Sequence, residues 1–333
     1  MDRRKKDWVG IASLGVYLPS AVETSADIAR KSGLTVETVE QKLGVLKKHI
    51  ASPDEHVSHM AVQAARRALG QFDPAEVDAV IYFGSGYKDY PVWSCACKIQ
   101  HEIGAVRAFA TEIMSLCTSF TMALKFAKAL MQTDRTINNV LLVGATKESS
   151  LIDYANPRVR FMYDFGDGAA AALLQKGLQH NIILESHHIT MGQFSEHIRG
   201  VVGATGECRI DLLDGQTMKE GLDPVSIGNF IQVVETALDK SGKHLSDLNF
   251  LAPIHVKRSV HRELLQRLGL KEEQSFYLEN YGHVQAADPI LALGEATKRG
   301  LLHDGDIVAL LGAGTGFTWG ATILQWGRGQ PLC

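Results

Sequence analysis

Apolar runs and amphipathic runs alternate along this chain, and the alternation repeats. Val9–Tyr17 is apolar enough for a strand and is closed by Leu18-Pro19. Thr24-Ser25-Ala26-Asp27 supplies hydroxyls that cap a helix start. Over 56–69, Met60, Val62, Ala64 and Ala65 mix with Arg66 and Arg67 at helical intervals. From residue 77 the pattern predicts a strand over 77–83, a helix over 92–103, a short strand over 109–113 and a helix over 117–131. Strands over 139–144 and 169–174 complete the pass. From residue 248 the order recurs: strand 248–255, helix 260–268, short strand 275–278, helix 286–299, strands 307–311 and 317–324.

This is the signature of an internally duplicated βαβαββ unit, and it predicts an α/β protein of two similar halves, 1–176 and 177–333. Unbroken apolar strands such as Ala79-Val80-Ile81-Tyr82-Phe83 suit sheets buried on both faces, with helices shared between them. The segment 185–225 is richer in Gly and polar residues and is predicted to be a loop-rich crossover. The duplication also has a positional consequence. Cys117 follows the second strand of the first half and opens its helix. His283 follows the second strand of the second half and precedes its helix, which makes the two pseudo-symmetric partners. His255 ends the first strand of the second half. All three fall at carboxyl ends of strands, where open α/β folds build sites.

Each of these residues has a plain and a chemical reading. Cys117, in Ser115-Leu116-Cys117-Thr118-Ser119-Phe120, sits where unpaired N–H groups and the helix dipole favour thiolate over thiol, and a thiolate attacks thioesters. A cysteine among Leu, Phe and Met is equally a small buried apolar residue. His255, in Pro253-Ile254-His255, is either a satisfied core histidine or a proton shuttle. His283 follows Tyr281-Gly282, a turn that can aim the ring into a cleft. Gly312-Ala313-Gly314-Thr315-Gly316 looks like a phosphate loop, but strand-like Phe317-Thr318-Trp319-Gly320 follows it instead of a helix. It reads as a tight turn whose N–H groups can stabilise an oxyanion. Its first-half counterpart, Phe165-Gly166-Asp167-Gly168, reads as a plain turn.

Composition narrows the classes. The 333 residues are 45% apolar and 21% charged with a formal net charge of −3, which is ordinary for a globular chain and gives no basic field for nucleic acid. The basic run over 1–6 is not followed by an apolar segment, so no signal peptide is expected, and no stretch is apolar for long enough to span a bilayer. Cys333 is the last residue, which does not fit a prenylation box. The 5 cysteines are irregularly spaced, so a reducing cytoplasm is expected rather than a disulfide framework. No Cys or His pairs recur at zinc spacing, so no metal site is expected.

The chain resembles the β-ketoacyl-acyl-carrier-protein synthase III family of the thiolase superfamily. The resemblance is carried by 44–51, Cys117-Thr118-Ser119-Phe120, Phe165-Gly166-Asp167-Gly168-Ala169-Ala170-Ala171, Asn229 within Ile227-Gly228-Asn229-Phe230, and Gly316-Phe317-Thr318-Trp319-Gly320, in family order. It implies a thiolase-like, five-layered α/β/α/β/α homodimer. It implies that Cys117 takes an acyl group from an acyl-coenzyme A and passes it to the carbanion of a decarboxylated malonyl thioester, with no resident cofactor and with acyl carrier protein as a possible partner. His255 falls on the family histidine. The backbone N–H of Cys117 and of Thr315, which stands at a family glycine, would form the oxyanion hole. Gly228, Asn229, Arg258, Arg160 and Trp93 fall near family substrate contacts, with Arg158 beside them.

The chain also departs from the family pattern. His283 replaces the family asparagine, giving the two-histidine set of elongating ketoacyl synthases. Arg258 replaces an asparagine that positions pantetheine. Val260, Thr38 and Lys42 replace docking and adenine-stacking residues. Two other outcomes therefore stay open: acyl transfer from Cys117 to an oxygen or nitrogen nucleophile, and a non-catalytic thiolase-fold partner subunit. A hydroxymethylglutaryl-coenzyme A synthase would need a glutamate where Gly86 stands.

Overall fold

A computed structural model describes residues 8–202 and 208–327; the basic N-terminal run and Cys333 lie outside the described residues. The first half runs β1 (Val9–Tyr17), helix Val57–Leu69, β4 (Ala79–Gly84), helix Cys95–Ile103, β5 (Phe109–Met114), helix Ser119–Thr133, β6 (Asn139–Thr146) and β7 (Gly168–Lys176). The second runs β8 (Ile182–Thr190), helix Asp223–Lys240, β11 (Leu248–Pro253), helix Arg258–Arg267, helix Asp288–Lys298, β12 (Ile307–Gly314) and β13 (Thr318–Gln325). Two hairpins lie outside this repeat, β2 (Ala21–Thr24) with β3 (Lys47–Ile50) and β9 (Ile198–Val202) with β10 (Cys208–Leu212).

The repeated unit is one strand and one helix longer than the sequence pattern predicts. β1 with helix Val57–Leu69 and β8 with helix Asp223–Lys240 open the two halves in the same way. The segment 185–225 is accordingly more ordered than expected: it holds the end of β8, the β9–β10 hairpin and the start of an 18-residue helix. Pro224 and Gly228 obscure that helix, yet proline is tolerated in a first turn. In the other direction, the strand expected over 275–278 is reduced to one bridge between Leu251 and Ser275.

Sheet order is β11-β12-β13-β8-β1-β7-β6-β4-β5, the same order read outward from the β8/β1 junction in each half, where Gly10 pairs with Ile182. Helices Ser119–Thr133 and Asp288–Lys298 each pack on strands of both halves. Strand periodicity distributes the core across the layers. In β7, Ala170, Ala172 and Leu174 join Phe120, Leu124, Ile290 and Leu293 in the middle, while Ala169, Ala171 and Leu173 face Met60, Ala64 and Ile99 outside. In the second half, Leu251 and Leu311 face Val233, Val234 and Leu264. The result is the five-layered α/β/α/β/α arrangement, held by apolar side chains that each contribute about 1.5–3 kcal/mol on full burial. No helix of the described residues is long and apolar enough to cross a membrane.

Candidate active site

The two middle-layer helices begin with the same local structure. Leu116 (φ 51°) opens the tight turn Leu116–Thr118 that leads into helix Ser119–Thr133; Gln285 (φ 50°) opens the turn Gln285–Ala287 that leads into helix Asp288–Lys298. A left-handed backbone at a non-glycine residue is uncommon and marks a tightly specified turn. In this register Cys117 corresponds to Ala286, not to His283, which lies three positions earlier. The pseudo-symmetry thus pairs the turns, and His283 reaches the site from the approach to its turn.

That approach brings the His283 Nε2 within 3.1 Å of the Cys117 Sγ. On the far side of the ring, Nδ1 donates to the Asp288 Oδ2 at 2.5 Å. Asp288 is fully buried. Its Oδ2 also accepts from the His255 N–H at 2.7 Å and its Oδ1 from the Val284 N–H at 2.7 Å. Burial by itself pulls the His283 pKa down, but the Cys117 sulfur and the Asp288 carboxylate outweigh it and hold the imidazolium well above its ordinary value. The Phe165 ring meets the imidazole edge-on at 4.8 Å and closes its remaining side. Cys117, His283 and Asp288 thus stand in one hydrogen-bonded row, a geometry able to activate a sulfur nucleophile. Asp288 was not singled out in the sequence. Its signal was the Asp288-Pro289 helix start, five residues after a histidine.

His255 completes a second wall. Its side chain is buried, and neither ring nitrogen has a hydrogen-bond partner. Burial and the neighbouring His283 press its pKa well below the ordinary histidine value, so the ring is neutral. Its Nε2 lies 3.9 Å from the Asp164 Oδ2, beyond hydrogen-bond reach. Asp164 is 9% exposed and its Oδ1 is also unpartnered. Burial raises the Asp164 carboxyl to about 6 against the opposing pull of His283 and Lys48. The fully buried Lys48 fixes this segment: its Nζ donates to the Tyr163 carbonyl at 2.9 Å and the Phe165 carbonyl at 2.7 Å, and it pairs with Glu23 at 3.3 Å. Nothing in the local sequence pattern distinguishes buried Asp164 and Lys48 from surface charges.

The glycine-rich end of β12 packs directly on the turn that carries Cys117. A Cβ on Gly312 would lie 2.9 Å from the Cys117 carbonyl oxygen, and one on Gly314 would lie 2.5 Å from the Ser115 carbonyl oxygen and 3.3 Å from the Cys117 nitrogen. Only glycine permits that approach, and Thr315, next in the chain, lines the same cavity as Cys117. That cavity has a volume of about 640 Å³. Its walls are mostly apolar, including Phe161, Phe165, Phe230, Ile254 and Phe317, and Cys117, His255, His283 and Asp164 lie among them. Exposed Arg158, Lys219 and Lys257 stand at its rim.

Several sequence-predicted contacts lie elsewhere. Arg258 turns away from the cavity, ion-paired with Glu279 and stacked over Tyr277 at 4.5 Å. Asn229 is half-buried and donates to the Met191 sulfur at 3.2 Å, and Gly228 is exposed on the same helix. Arg160 is exposed and outside the lining, whereas its neighbour Arg158 is at the rim and donates to the carbonyls of Leu212 and Leu213. Trp93 packs edge-on against Tyr90 at 5.5 Å on the outer side of the first half. Among the described residues, no group of three or more His, Cys, Asp or Glu is placed to hold a metal ion.

Comparison with known proteins agrees with this architecture. Residues 111–192 match the family described as 3-Oxoacyl-[acyl-carrier-protein (ACP)] synthase III, and residues 238–326 match its C-terminal family. The Beta-ketoacyl-[acyl-carrier-protein] synthase III of Bacillus pumilus is 30% identical over 321 residues, covering 96% of this chain and 99% of the relative. The crystal structure of 3-oxoacyl-(acyl carrier protein) synthase III from Pseudomonas aeruginosa superposes with a TM-score of 0.85 at 26% identity, covering 96% of this chain and 99% of the other. The corresponding structure from Aquifex aeolicus gives 0.84 at 26% identity, covering 96% and 100%.

Proposed function

This chain belongs to the β-ketoacyl-acyl-carrier-protein synthase III family and is a condensing acyltransferase, and on that premise we propose that Cys117 carries the acyl group, with His283 and Asp288 as its activating pair. The observation that carries the reading is the 3.1 Å approach of the His283 Nε2 to the Cys117 Sγ with Asp288 behind it. In the first step the sulfur attacks an acyl-coenzyme A thioester. The oxyanion forms beside the backbone N–H groups of Cys117 and Thr315, and His283 gives its proton to the departing thiolate. Basic Arg158, Lys219 and Lys257 at the rim support a phosphate-bearing donor whose acyl end enters an apolar cavity. No resident cofactor is needed for this chemistry.

In the second step a malonyl thioester, carried by coenzyme A or by the acyl carrier protein named in the relatives, enters the same cavity and loses carbon dioxide. The N–H of neutral His255 stabilises the enolate oxygen, while His283, having given up its Nε2 proton and still bound to Asp288 through Nδ1, takes up a proton from solvent as the Cys117 thiolate is released. The resulting carbanion attacks the acyl carbon, the carbon–sulfur bond to Cys117 breaks, and a 3-oxoacyl thioester leaves.

The reading includes a homodimer. β5 is an edge of the large sheet, Phe109 and Met114 on it are exposed, and Val92, in the loop before helix Cys95–Ile103, is 99% exposed. An exposed apolar edge is stable in water when another strand covers it. The free thiols of Cys95, Cys97, Cys117 and Cys208 fit a reducing cytoplasm. The test is product analysis: acyl-coenzyme A plus malonyl-coenzyme A or malonyl carrier protein should give a 3-oxoacyl thioester and carbon dioxide with wild type and not with Cys117→Ala. Acyl-coenzyme A consumption with no carbon–carbon bond formed from either malonyl carrier would contradict it.

A further inference from the structure

We propose that Arg258 is a positioning residue for His255, acting through the Tyr277 ring that both of them pack against. The inference deepens the malonyl step and rests on the reading of His255 as the enolate donor there.

His255 has no orienter of the kind that His283 has. The Asp288 Oδ2 holds the His283 ring at 2.5 Å but takes only the backbone N–H of His255. Both ring nitrogens of His255 lack a partner, and the Asp164 Oδ2 is 3.9 Å away, beyond hydrogen-bond reach. Packing therefore sets the ring. Tyr277 lies 5.1 Å from it, centroid to centroid, at an interplanar angle of 44°. His261 meets the same Tyr277 edge-on at 4.9 Å. Ring pairs at such separations favour one mutual arrangement over others.

Tyr277 is itself held at both its hydroxyl and its ring. The Oη donates to the carbonyl of Val256, the residue after His255, at 3.0 Å. The hydroxyl fills space that only glycine leaves open: a Cβ on Gly44, whose φ is 80°, would lie 1.8 Å from it. Over the ring, the Arg258 guanidinium carbon lies 4.5 Å from the centroid. Glu279 pairs with the guanidinium and keeps it there, and the Glu279 carbonyl accepts the Leu46 N–H at 2.7 Å. A planar guanidinium stacks on an aromatic ring, which an amide or an ammonium does less well. Arg258 stands where the family pattern has a substrate-positioning asparagine, yet its charge and its flat face are both engaged within the protein. After burial, His283 and His261, the Arg258 cation also adds to the push that keeps the His255 ring neutral.

The consequence is confined to the second step. His255 lines the cavity that holds Cys117, and neither Tyr277 nor Arg258 does. Without the guanidinium, Tyr277 and then His255 settle differently. Donation to the enolate weakens, while loading of Cys117 and binding of the thioester do not change. A residue that touched the pantetheine arm would do the reverse and raise KM.

The experiment measures malonyl-coenzyme A decarboxylation and Cys117 loading for wild type, Arg258→Met and Tyr277→Leu, with each substitution also made in a His255→Ala background. The histidine-ring nitrogen spectrum of each isotope-labelled protein is recorded at neutral pH, and the His255 signals are identified by their loss in His255→Ala. Arg258→Met and Tyr277→Leu should each lower kcat for decarboxylation by about ten- to a hundredfold, as a small misplacement does, with KM and loading within about twofold of wild type. In the His255→Ala background neither should lower the rate further, because the group they position is gone. The His255 ring signals should move in Arg258→Met while those of His187, on β8, stay in place. An equal fall in both backgrounds would overturn the assignment, as would a raised KM with unchanged kcat, or His255 signals that do not move. Decarboxylation that is absent from wild type, or unaffected by His255→Ala, would instead overturn the malonyl reading beneath it, and this inference with it. Movement of the His255 signals tells that failure apart from a failure of the Arg258–Tyr277–His255 contact.

Discussion

The Nδ1 of His283 lies 2.5 Å from the Oδ2 of Asp288, and that oxygen also accepts the backbone N–H of His255. One carboxylate therefore orients the ring that faces the nucleophile and anchors the strand end that carries the second histidine. Helix Asp288–Lys298, which carries the carboxylate, is common to both halves of the core. The site's geometry is thus tied to a largely buried helix between the two halves, as precise placement requires.

Asp288→Asn should leave the fold intact and slow acylation of Cys117 by about 10²–10⁴-fold, because the amide can present N–H to Nδ1 and favour the wrong tautomer. Asp288→Ala should in addition destabilise the protein by roughly 2–5 kcal/mol, since two buried N–H groups and an imidazole lose their acceptor. Stopped-flow loading and urea unfolding separate the two effects. Equal loading rates for Asp288→Asn and wild type would remove Asp288 from the relay.

His255→Ala should divide the reaction. Neither ring nitrogen of His255 bonds the Cys117 sulfur, so loading should stay within about threefold of wild type. Decarboxylation of malonyl-coenzyme A should fall by about 10²–10³-fold with the loss of one oxyanion donor. Single-turnover mass spectrometry with and without malonyl-coenzyme A reads each step.

Stability should fall as the solution is acidified. His188 and His261 are held at about 4 by burial, and His255 is also pressed down by burial. These rings are neutral in the folded protein and take up protons on unfolding, so their contribution is present above the unfolded value of about 6.5 and is lost as pH falls toward their folded values. Asp164 and His283, whose folded values are raised, act in the opposite sense. His261→Phe should therefore flatten the decline between about pH 6.5 and 4, measured by urea midpoint, while keeping its ring contact with Tyr277. An unchanged slope would contradict the assignment for His261.

Gly314→Ala should reduce acylation with little loss of secondary structure. The added methyl would lie 2.5 Å from the Ser115 carbonyl oxygen, so the turn carrying Thr315 must move off the nucleophile. A shift that costs about 1–3 kcal/mol at the oxyanion site corresponds to roughly ten- to a hundredfold in rate. Circular dichroism with loading kinetics decides this.

Val92→Glu together with Phe109→Glu should yield a monomer by sedimentation if β5 is the dimer edge, because buried like charges placed across a two-fold repel. A dimer that survives both changes would place the interface elsewhere.

The layers of this fold were legible because strands buried on both faces leave unbroken apolar runs, as at Ala79–Gly84 and Ile307–Gly314. The same logic failed for helix Asp223–Lys240, whose opening Asp-Pro and internal Gly228 mimic a loop. Cys117, His255 and His283 stood out by their places at strand ends. Asp164 and Lys48 did not, because their importance comes from partners 91 and 115 residues away in sequence, in the contacts Asp164–His255 and Lys48–Tyr163; Asp288 stands only 5 residues after His283, where an Asp-Pro helix start masks its second role. Long-range burial of charge has no local pattern. Arg258 shows the converse: its position in the chain suggests a substrate contact, and Glu279 and Tyr277 occupy it instead.

The most direct measurement of the central claim is intact-protein mass after incubation with a panel of acyl-coenzyme A donors, on wild type, Cys117→Ala and His283→Ala. The account predicts one acyl mass on wild type, none on Cys117→Ala, and loading on His283→Ala slowed by about 10²-fold or more. An acyl mass on Cys117→Ala, or wild-type loading that does not depend on His283, would contradict it.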